Sequence, residues 1–266
     1  MEMLLKDKVF LVTGILNKFS ISTSIANQIL EHGGKIIIQV QKGLGEKKIE
    51  RITKDFDSEN VLGVVECDAS SPESIREMLS EVKKISNTIH GFAHSIGACN
   101  RERLVKSGIL QITQTDLTEA INVSTFSYVA MVQGMLELEL FDESGASCIA
   151  LSYLGGEQVI PHYDLMGICK AGLETANRYL AAALGEQGVR CNILSPGPMN
   201  TAAGRGISDF NLIGDHVDKN CFLTARPNQN DAAKSAVFLL SDLSSGMTAE
   251  VVYCDGGYHN NGLSTK

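Results

Sequence analysis

The chain has 266 residues, of which 44% are hydrophobic and 20% are charged, and its formal net charge is −8 at pH 7. This composition is ordinary for a folded globular protein, and the length fits a single α/β domain, which we predict to span residues 1–266. The negative charge argues against a nucleic-acid surface and against binding to anionic membranes.

The cysteines and the apolar stretches indicate the cellular compartment in which the protein works. Seven cysteines are scattered without a CxxC pair, so the sequence indicates neither a disulfide framework nor a metal site, and a reducing cytoplasm fits best. The apolar stretch 9–16 contains Thr13 and Gly14 and lacks the cleavage pattern of a signal sequence. The charge-free stretch 120–136 contains several polar residues, so we expect an amphipathic helix there and no membrane span.

Short apolar runs alternate with segments of helical period along the chain. The runs are residues 9–12, 36–40, 61–65, 91–94, 147–151, 191–194 and 251–254. Strands that alternate with helices indicate a parallel sheet covered on both faces. We therefore predict a doubly wound, Rossmann-like α/β fold with a seven-stranded parallel sheet, which binds ligands at the carboxyl ends of its strands.

The turn after the first strand has the features of a phosphate-binding turn. Gly14 lets the backbone approach a ligand closely, and a helix is predicted to begin near Ser20 and Ile21. The free amides at the start of that helix, together with the Ser20 hydroxyl, suit a diphosphate. The turn lacks a GxGxxG motif, so a simple strand-to-helix turn in which Ser20 caps the helix is equally consistent with the sequence.

The ends of the second and third strands suit a ribose and an adenine. Gln41 stands where many dinucleotide folds carry an acidic residue that binds the ribose 2′-hydroxyl. Gln41 can hydrogen-bond a ribose, which favours NADH, whereas the nearby lysines at 42, 47 and 48 keep NADPH as the less favoured alternative. Asp68, followed by Ala69, either accepts a hydrogen bond from adenine or braces the turn before a helix cap at 70–73.

The fourth strand leads into Ser95, Ile96 and Gly97, which we expect to lie against the ribose and the nicotinamide. His94, just before them, is interpreted as a packed histidine and not as a ligand. Further along, one long helix is predicted over 115–140. A second helix is predicted over 164–184, with a proline before it and glycines after it.

Tyr153, Tyr163 and Lys170 form the most informative set in the chain. Seven steps along a helix bring Tyr163 and Lys170 to one face, about 10 Å apart along the axis. We expect the nearby ammonium to lower the pKa of the phenol by about two units. Such a phenol can stabilise an oxygen that gains negative charge, so the set predicts an oxidoreductase active site. A buried tyrosine beside a solvated lysine is the alternative.

The segment 200–220 is rich in glycine and polar residues and has a weak helical pattern. It is long enough to cover a bound ligand, so we predict a mobile substrate-covering segment there.

Several motifs, taken in order, resemble the enoyl-acyl-carrier-protein reductases, a branch of the short-chain dehydrogenase/reductase family. The resemblance runs from about residue 8 to residue 257. Its motifs are Gly14 with Ser20-Ile21, His94-Ser95-Ile96-Gly97, Leu151-Ser152-Tyr153-Leu154-Gly155, Tyr163 with Lys170, Gly197-Pro198-Met199-Asn200-Thr201, and Asp255-Gly256-Gly257.

The resemblance implies NAD(P)H-dependent reduction of a trans-2-enoyl thioester carried by acyl carrier protein in fatty-acid elongation. It implies that Tyr163 stabilises the enolate oxygen, that Lys170 holds the nicotinamide ribose, and that Tyr153 lies beside the acyl group. It also implies a homotetramer. The further residues it implies are Met199 and Thr201 for the cofactor, and Ile207 and Phe210 for the substrate.

The sequence leaves two other functions open. Asn122 and Ser195-Pro196-Gly197 look like the carbonyl-reducing members of the broader family, which place a catalytic serine thirteen residues before the tyrosine. That position is Ala150 here, but Ser152 would share its face of a strand, so a carbonyl or hydroxyl oxidoreductase remains an alternative. A nucleotide-binding sensor or scaffold without catalysis is the third interpretation.

Recognition of the carrier protein is also open. Relatives carry basic residues beside the phenylalanine of the cover, where this chain has Ser208, Asn211 and Leu212. Arg205 and Lys219 are the nearest cations in the sequence.

Overall fold

The computed structural model describes residues 3–54, 56, 59–100, 108–202 and 204–262, and the rest of the predicted span 1–266 lies outside the described residues. The strands are β1 (Val9–Val12), β2 (Lys35–Gln41), β3 (Val61–Cys67), β4 (Gly91–His94), β5 (Ala146–Leu151), β6 (Val189–Pro196) and β7 (Val251–Cys254). The α-helices are α1 (Ile21–Glu31), α2 (Glu46–Thr53), α3 (Pro72–Ile85), α4 (Gln114–Ile121), α5 (Ser127–Glu137), α6 (Asp164–Leu184), α7 (Phe210–Asn220) and α8 (Gln229–Leu240). All seven predicted strands are present, each within two residues of its predicted ends.

The seven strands form one parallel sheet in the order β3-β2-β1-β4-β5-β6-β7. β1 pairs with β2 on one side and with β4 on the other, so the order of the strands reverses at β1. In sheets of this kind the reversal opens a crevice at the carboxyl ends of the strands, where ligands bind.

Apolar side chains pack on both faces of the sheet, which explains why the strands read as continuous apolar runs. On one face, Leu11 belongs to a core that includes Leu173 of α6. On the other face, Phe10 belongs to a core that includes Ile25 of α1 and Val237 of α8. Every one of these side chains is at most 2% exposed. The predicted doubly wound α/β fold with helices on both faces is confirmed.

The prediction of one uninterrupted helix over 115–140 is wrong in two respects. The helix begins at Gln114, but Asn122–Phe126 is a π-helical segment between α4 and α5. The helix also ends early, at Glu137, and Glu139 adopts a positive φ of 50°. A π-helical turn adds one residue without removing the apolar face, so the sequence pattern could not distinguish it from an α-helix.

Within the described ranges, no helix is both long enough and apolar enough to cross a bilayer. The same ranges contain no group of three or more histidine, cysteine, aspartate or glutamate side chains arranged to hold a metal ion.

Candidate active site

One cavity of about 560 Å³ opens at the carboxyl ends of the strands, next to the reversal at β1. Its walls include every residue that the sequence nominated for the site. These are Gly14, Ser20, Ile21, Gln41, Asp68, Ala69, Ser95, Ile96, Gly97, Tyr153, Tyr163, Lys170, Met199, Thr201, Ile207 and Phe210. Residues from six strand ends and from the cover segment therefore meet at one place.

Gly14 lies where the chain leaves β1, and no larger residue fits there. Its φ is +79°, and a Cβ atom would lie 2.1 Å from the carbonyl oxygen of Ser95. Its N–H donates to Oε1 of Gln39 at 3.0 Å. The glycine thus allows the loops after β1 and β4 to approach each other beside the cavity.

Ser20 stands at the N-cap position of α1, but its side chain does not cap the helix. Its Oγ instead accepts weak hydrogen bonds from the amides of Leu16 and Asn17, both at 3.4 Å. The interpretation of Ser20 as a simple capping residue is therefore wrong. The first amides of α1 face no capping side chain, which is the arrangement that binds anions at helix N-termini.

Gln41 is exposed at the end of β2 and lines the cavity. The neighbouring Lys42 lies 3.3 Å from Oε2 of Glu77 on α3, so a carboxylate already offsets its charge. Lys47 and Lys48 are exposed on α2 and are not part of the cavity wall. Of the three lysines that left NADPH open, the one nearest Gln41 is thus partly neutralised.

Asp68 braces its own turn and also lines the cavity. Its Oδ1 accepts hydrogen bonds from the amide of Ser70 at 2.9 Å and from the hydroxyl of Ser70 at 2.6 Å. These two hydrogen bonds hold the pKa of the carboxyl below its usual value. The helix cap that follows is formed by Ser71, which accepts from the amide of Ser74 at 3.1 Å.

The loop after β4 is held by Ser124 in the π-helical segment. The Ser124 hydroxyl donates to the Ala98 carbonyl at 2.9 Å and accepts from the Ala98 amide at 3.0 Å. Asn122 is not in the cavity wall, and its Nδ2 donates to the Ser70 carbonyl at 2.7 Å. The π-helical segment therefore ties together the two loops that follow β3 and β4.

His94 is a packed histidine, as expected. It is 1% exposed, and its Nε2 lies 2.8 Å from Oγ of Ser127. The Ser127 hydroxyl itself donates to the Val123 carbonyl at 2.6 Å, so His94 carries its proton on Nε2 and donates to Ser127. Burial, assisted by the charge of Lys170, lowers the pKa of His94 to about 3, so its ring is neutral.

The two tyrosines meet in the cavity, with ring centroids 5.0 Å apart and ring planes at 73°. Tyr163 stands at the N-cap position of α6 and is 7% exposed. Gly155 packs against its ring, since a Cβ atom there would lie 2.3 Å from Cδ1 of Tyr163. The chain just after Tyr153 thus packs closely against the ring of Tyr163.

Lys170 lies on α6 with 7% of its surface exposed, so it is not a solvated lysine. Its Nζ donates to the carbonyl of Leu151, at the end of β5, at 2.7 Å. Burial lowers the pKa of Lys170 to about 8. A charged group can tolerate such burial here because the Leu151 carbonyl accepts from it.

The predicted lowering of the Tyr163 pKa is wrong. Burial raises the pKa of Tyr163 well above its usual value, and the neighbouring Tyr153 raises it further. Burial also raises the pKa of Tyr153. The helical spacing was read correctly, but the spacing says nothing of burial, which raises the pKa of the Tyr163 phenol.

Sequence reasoning missed two partners of the site. Glu174, one turn after Lys170 on α6, is 5% exposed and accepts a hydrogen bond from the hydroxyl of Ser152. Met166, three residues after Tyr163, lines the cavity and packs with the same cluster as the tyrosine ring. Both follow Tyr163 or Lys170 at helical spacing, and that spacing was the signal that could have identified them.

The cover segment is more regular than its sequence suggests. Gly204–Gly206 forms a 3-10 turn and α7 occupies Phe210–Asn220, while Ala203 lies outside the described residues. His162, next to Tyr163, and Asp209, next to Phe210, lie with Nε2 and Oδ2 3.2 Å apart. Both have a positive φ, 63° and 56°, so two strained turns meet at this contact.

The sequence profile described as "Enoyl-(Acyl carrier protein) reductase" matches residues 14–259. The chain belongs to this family.

Relatives within the enoyl-acyl-carrier-protein reductase family match almost the whole chain. The enoyl-[acyl-carrier-protein] reductase [NADH] FabI of Bacillus cereus is 34% identical over 256 residues, which cover 96% of this chain and 98% of the relative. The protein of the same name from Escherichia coli is 35% identical, over 96% of this chain and 95% of the relative.

Solved structures of the family have the same fold. The Bacillus cereus reductase with NADP+ and indole naphthyridinone is 33% identical, with a TM-score of 0.92 and coverage of 99% of this chain and 100% of that chain. The Anaplasma phagocytophilum reductase in complex with NAD is 30% identical, with a TM-score of 0.92 and coverage of 100% and 99%.

The carbonyl-reducing alternative finds no support in these relatives of the enoyl reductase family. The site gives a physical reason as well. Ser152, the one candidate for its catalytic serine, is 5% exposed and donates its hydroxyl to Glu174. That hydrogen bond occupies the proton that a catalytic serine would donate to a substrate carbonyl.

Proposed function

We propose that this protein reduces the carbon–carbon double bond of a trans-2-enoyl thioester carried by acyl carrier protein, with NADH as the reductant, in fatty-acid elongation. One observation carries the proposal. A buried phenol, a second tyrosine and a buried lysine meet in a single cavity at the strand reversal, in a chain of the enoyl reductase family.

The residues around the cavity fit a dinucleotide. The uncapped amides of α1 and the close backbone approach at Gly14 suit a diphosphate, with Ser20 and Ile21 beside it. The proposed cofactor contacts are Gly14, Ser20, Ile21, Gln41, Asp68, Ala69, Ser95, Ile96, Gly97, Lys170, Met199 and Thr201. NADH, when bound, supplies a hydride to the β-carbon of the thioester.

Tyr163 acts as a hydrogen-bond donor toward the thioester oxygen. Because burial raises the pKa of its phenol, Tyr163 keeps its proton at any working pH. A neutral donor stabilises the negative charge that develops on this oxygen when the β-carbon accepts hydride. A proton then adds to the α-carbon and completes the saturated acyl group.

Lys170 and Tyr153 orient the reactants. We assign Lys170 to the nicotinamide ribose, where its ammonium also contributes positive charge near the developing enolate. Tyr153, half-buried against Tyr163, lies beside the acyl chain. Ile207, which packs with the cluster around Tyr163, and Phe210 cover the substrate from the mobile segment 200–220.

NADH is favoured over NADPH. Relatives at 34% and 35% identity carry NADH in their names, and the contact between Lys42 and Glu77 supports the same preference. A 2′-phosphate at Gln41 would meet a lysine whose charge is already offset.

We also propose a single domain, a cytoplasmic homotetramer and an acyl carrier protein partner. Large apolar side chains stay exposed on the helical segments from α4 to α6, which supports burial against other copies of the chain. The side chains are Phe126, Leu136, Ile168 and Tyr179. Arg205 and Lys219 lie on the cover segment, are exposed, and are cations suited to an acidic carrier.

The loss of NADH absorbance with crotonyl thioesters tests this function. We expect turnover with crotonyl-acyl-carrier protein, and slower turnover with crotonyl-coenzyme A, because the coenzyme lacks the acidic surface of the carrier. Turnover restricted to ketones would instead establish a carbonyl reductase. NADH binding without turnover of any of these compounds would indicate a sensor or scaffold.

A further inference from the structure

Two residues on one face of α6 bind two consecutive residues at the end of β5. Lys170 donates to the Leu151 carbonyl at 2.7 Å, and Glu174 accepts from the Ser152 hydroxyl. Lys170 and Glu174 are four residues apart, so their side chains lie one above the other on the helix. The next residue of the chain is Tyr153, which projects into the cavity.

A contribution to the stability of the fold does not by itself explain why residue 174 is a glutamate. Glu174 and Ser152 are each 5% exposed. Burial raises the pKa of the Glu174 carboxyl, and the hydrogen bond from Ser152 opposes this shift. Apolar side chains of similar size often stabilise such buried sites as well as a charge does, so a buried carboxylate suggests a role in the reaction.

The hydrogen bond from Ser152 to Glu174 matters most when the cofactor is bound. Under the proposed function Lys170 also binds the nicotinamide ribose, so its ammonium divides its three N–H donors between the cofactor and the Leu151 carbonyl. The backbone of Ser152 remains bound to the Leu194 carbonyl, at 2.9 Å, and its side chain remains bound to Glu174. Glu174 can therefore keep the end of β5, and Tyr153 with it, in place during the reaction.

Glu174 is also a buried carboxyl close enough to Lys170 to raise the pKa of its ammonium. Burial raises the pKa of Cys169 to about 11 and lowers that of His94 to about 3, so both side chains are neutral at neutral pH. The Tyr163 phenol is neutral as well, because burial raises its pKa. The remaining charged groups near Glu174 are the exposed Glu157 and Arg178, whose effects solvent screens.

We propose that Glu174 is a positioning residue for the reduction, which holds Tyr153 in place through Ser152 and keeps Lys170 an ammonium while Lys170 binds the cofactor. This inference rests on the proposed function.

Glu174→Gln tests the effect on Lys170, because glutamine keeps the size and an acceptor oxygen but removes the charge. The dissociation constant of NADH is measured by titration from about pH 6 to pH 10, since Lys170 loses its proton in this range. We expect the affinity of the variant to decline at a pH roughly one unit lower than that of the wild type. Glu186→Gln makes the same charge change at an exposed position after α6, and its profile should match the wild type. Coincident profiles for Glu174→Gln and the wild type would refute the role in keeping Lys170 charged.

Ser152→Ala tests the effect on Tyr153, because it removes the donor and leaves both charges. We expect kcat/KM for the crotonyl thioester to fall roughly three- to tenfold, with the dissociation constant of NADH unchanged. Ser152→Thr keeps a hydroxyl and should restore most of the rate, which also controls for folding. Unchanged kcat and KM in Ser152→Ala would overturn the positioning role.

The binding measurements separate this inference from the function on which it rests. A wild-type protein that binds NADH but reduces no enoyl thioester would disprove the proposed reaction. The NADH profile of Glu174→Gln would still decide whether Glu174 supports the charge of Lys170.

Discussion

The rings of Tyr153 and Tyr163 meet edge to face, with their centroids 5.0 Å apart, at the wall of the cavity. Burial raises the pKa of both phenols, so both are protonated at neutral pH. Two neutral donors therefore face the same space, and neither can serve as a phenolate base. Under the proposed function both tyrosines act as hydrogen-bond donors.

Tyr163→Phe should lower kcat about 100-fold, the loss that follows removal of one donor to a developing oxyanion. NADH affinity should be unchanged, because the ring and its packing are kept. Steady-state kinetics with crotonyl-acyl-carrier protein and NADH titration check both expectations. Tyr153→Phe, in which the remaining donor is Tyr163, should reduce kcat less, and equal rates for Tyr163→Phe and the wild type would contradict the mechanism.

Lys170 should make the unfolding free energy of the cofactor-free protein rise with pH above about pH 8. The pKa of Lys170 is about 8 in the folded protein, whereas an unfolded lysine titrates near 10.4. Between these values the unfolded chain binds a proton that the folded chain lacks, so stability increases with pH. Below pH 8 both states are protonated and the contribution is constant.

Urea unfolding of the wild type and of Lys170→Met, from pH 7 to pH 10, measures this effect. Cysteines with raised pKa values oppose the trend, but they are present in both proteins, so the difference between the two isolates Lys170. We expect the wild type to gain up to about 3 kcal/mol relative to the variant. A constant difference would mean that Lys170 is not a buried ammonium. Lys170→Ala should also weaken NADH binding and impair turnover.

Glu77→Gln should shift the cofactor preference toward NADPH. Lys42 lies 3.3 Å from Glu77 and would regain its full charge near the ribose when the carboxylate is removed. The pair is exposed, so we expect a change of only about two- to fivefold in the ratio of the KM values for the two cofactors. Competitive titration with NADH and NADPH measures it, and Glu81→Gln, further along α3, is a control of the same chemistry. An unchanged ratio of KM values would show that Lys42 does not influence the preference between NADH and NADPH.

Asp209→Asn should loosen the cover over the substrate. Asparagine tolerates the positive φ at this position, so the substitution removes the charge that faces His162 and leaves the turn intact. The contact is partly exposed, so KM for the thioester should rise roughly two- to fivefold with little change in kcat.

Limited proteolysis of the segment 200–220 provides a second measurement of the cover. Cleavage should be faster in Asp209→Asn than in the wild type. Asp215→Asn removes the same charge from an exposed position on α7 and should behave like the wild type. Equal KM values and cleavage rates in all three proteins would show that the contact with Asp209 does not hold the cover.

The sequence was sufficient to predict the sheet and to predict which residues gather around the cavity. Apolar runs buried on both faces define strands directly, and residues that follow such runs, such as Gly14 and Asp68, must meet at one edge of a parallel sheet. All the nominated residues accordingly line one cavity.

The sequence was insufficient where burial decides the chemistry. Helical spacing brought Tyr163 and Lys170 to one side but gave no measure of their exposure, so the predicted direction of the tyrosine pKa was wrong. The roles of Ser20 and Asp68 depend on which backbone amide donates to each side chain. Loop geometry determines those partners, and the sequence pattern does not reveal it. Glu174 was missed because a glutamate on a helix is usually solvated.

The contact between Gly155 and the ring of Tyr163 means that the position of the phenol is set before any ligand arrives. A side chain at position 155 would overlap the ring, and without one the loop closes directly against it. The ring therefore has little freedom to swing toward position 155, and the position of its hydroxyl is set when the chain folds. Under the proposed function each new substrate would meet a donor that is already in place, and no part of the barrier would be spent on moving it.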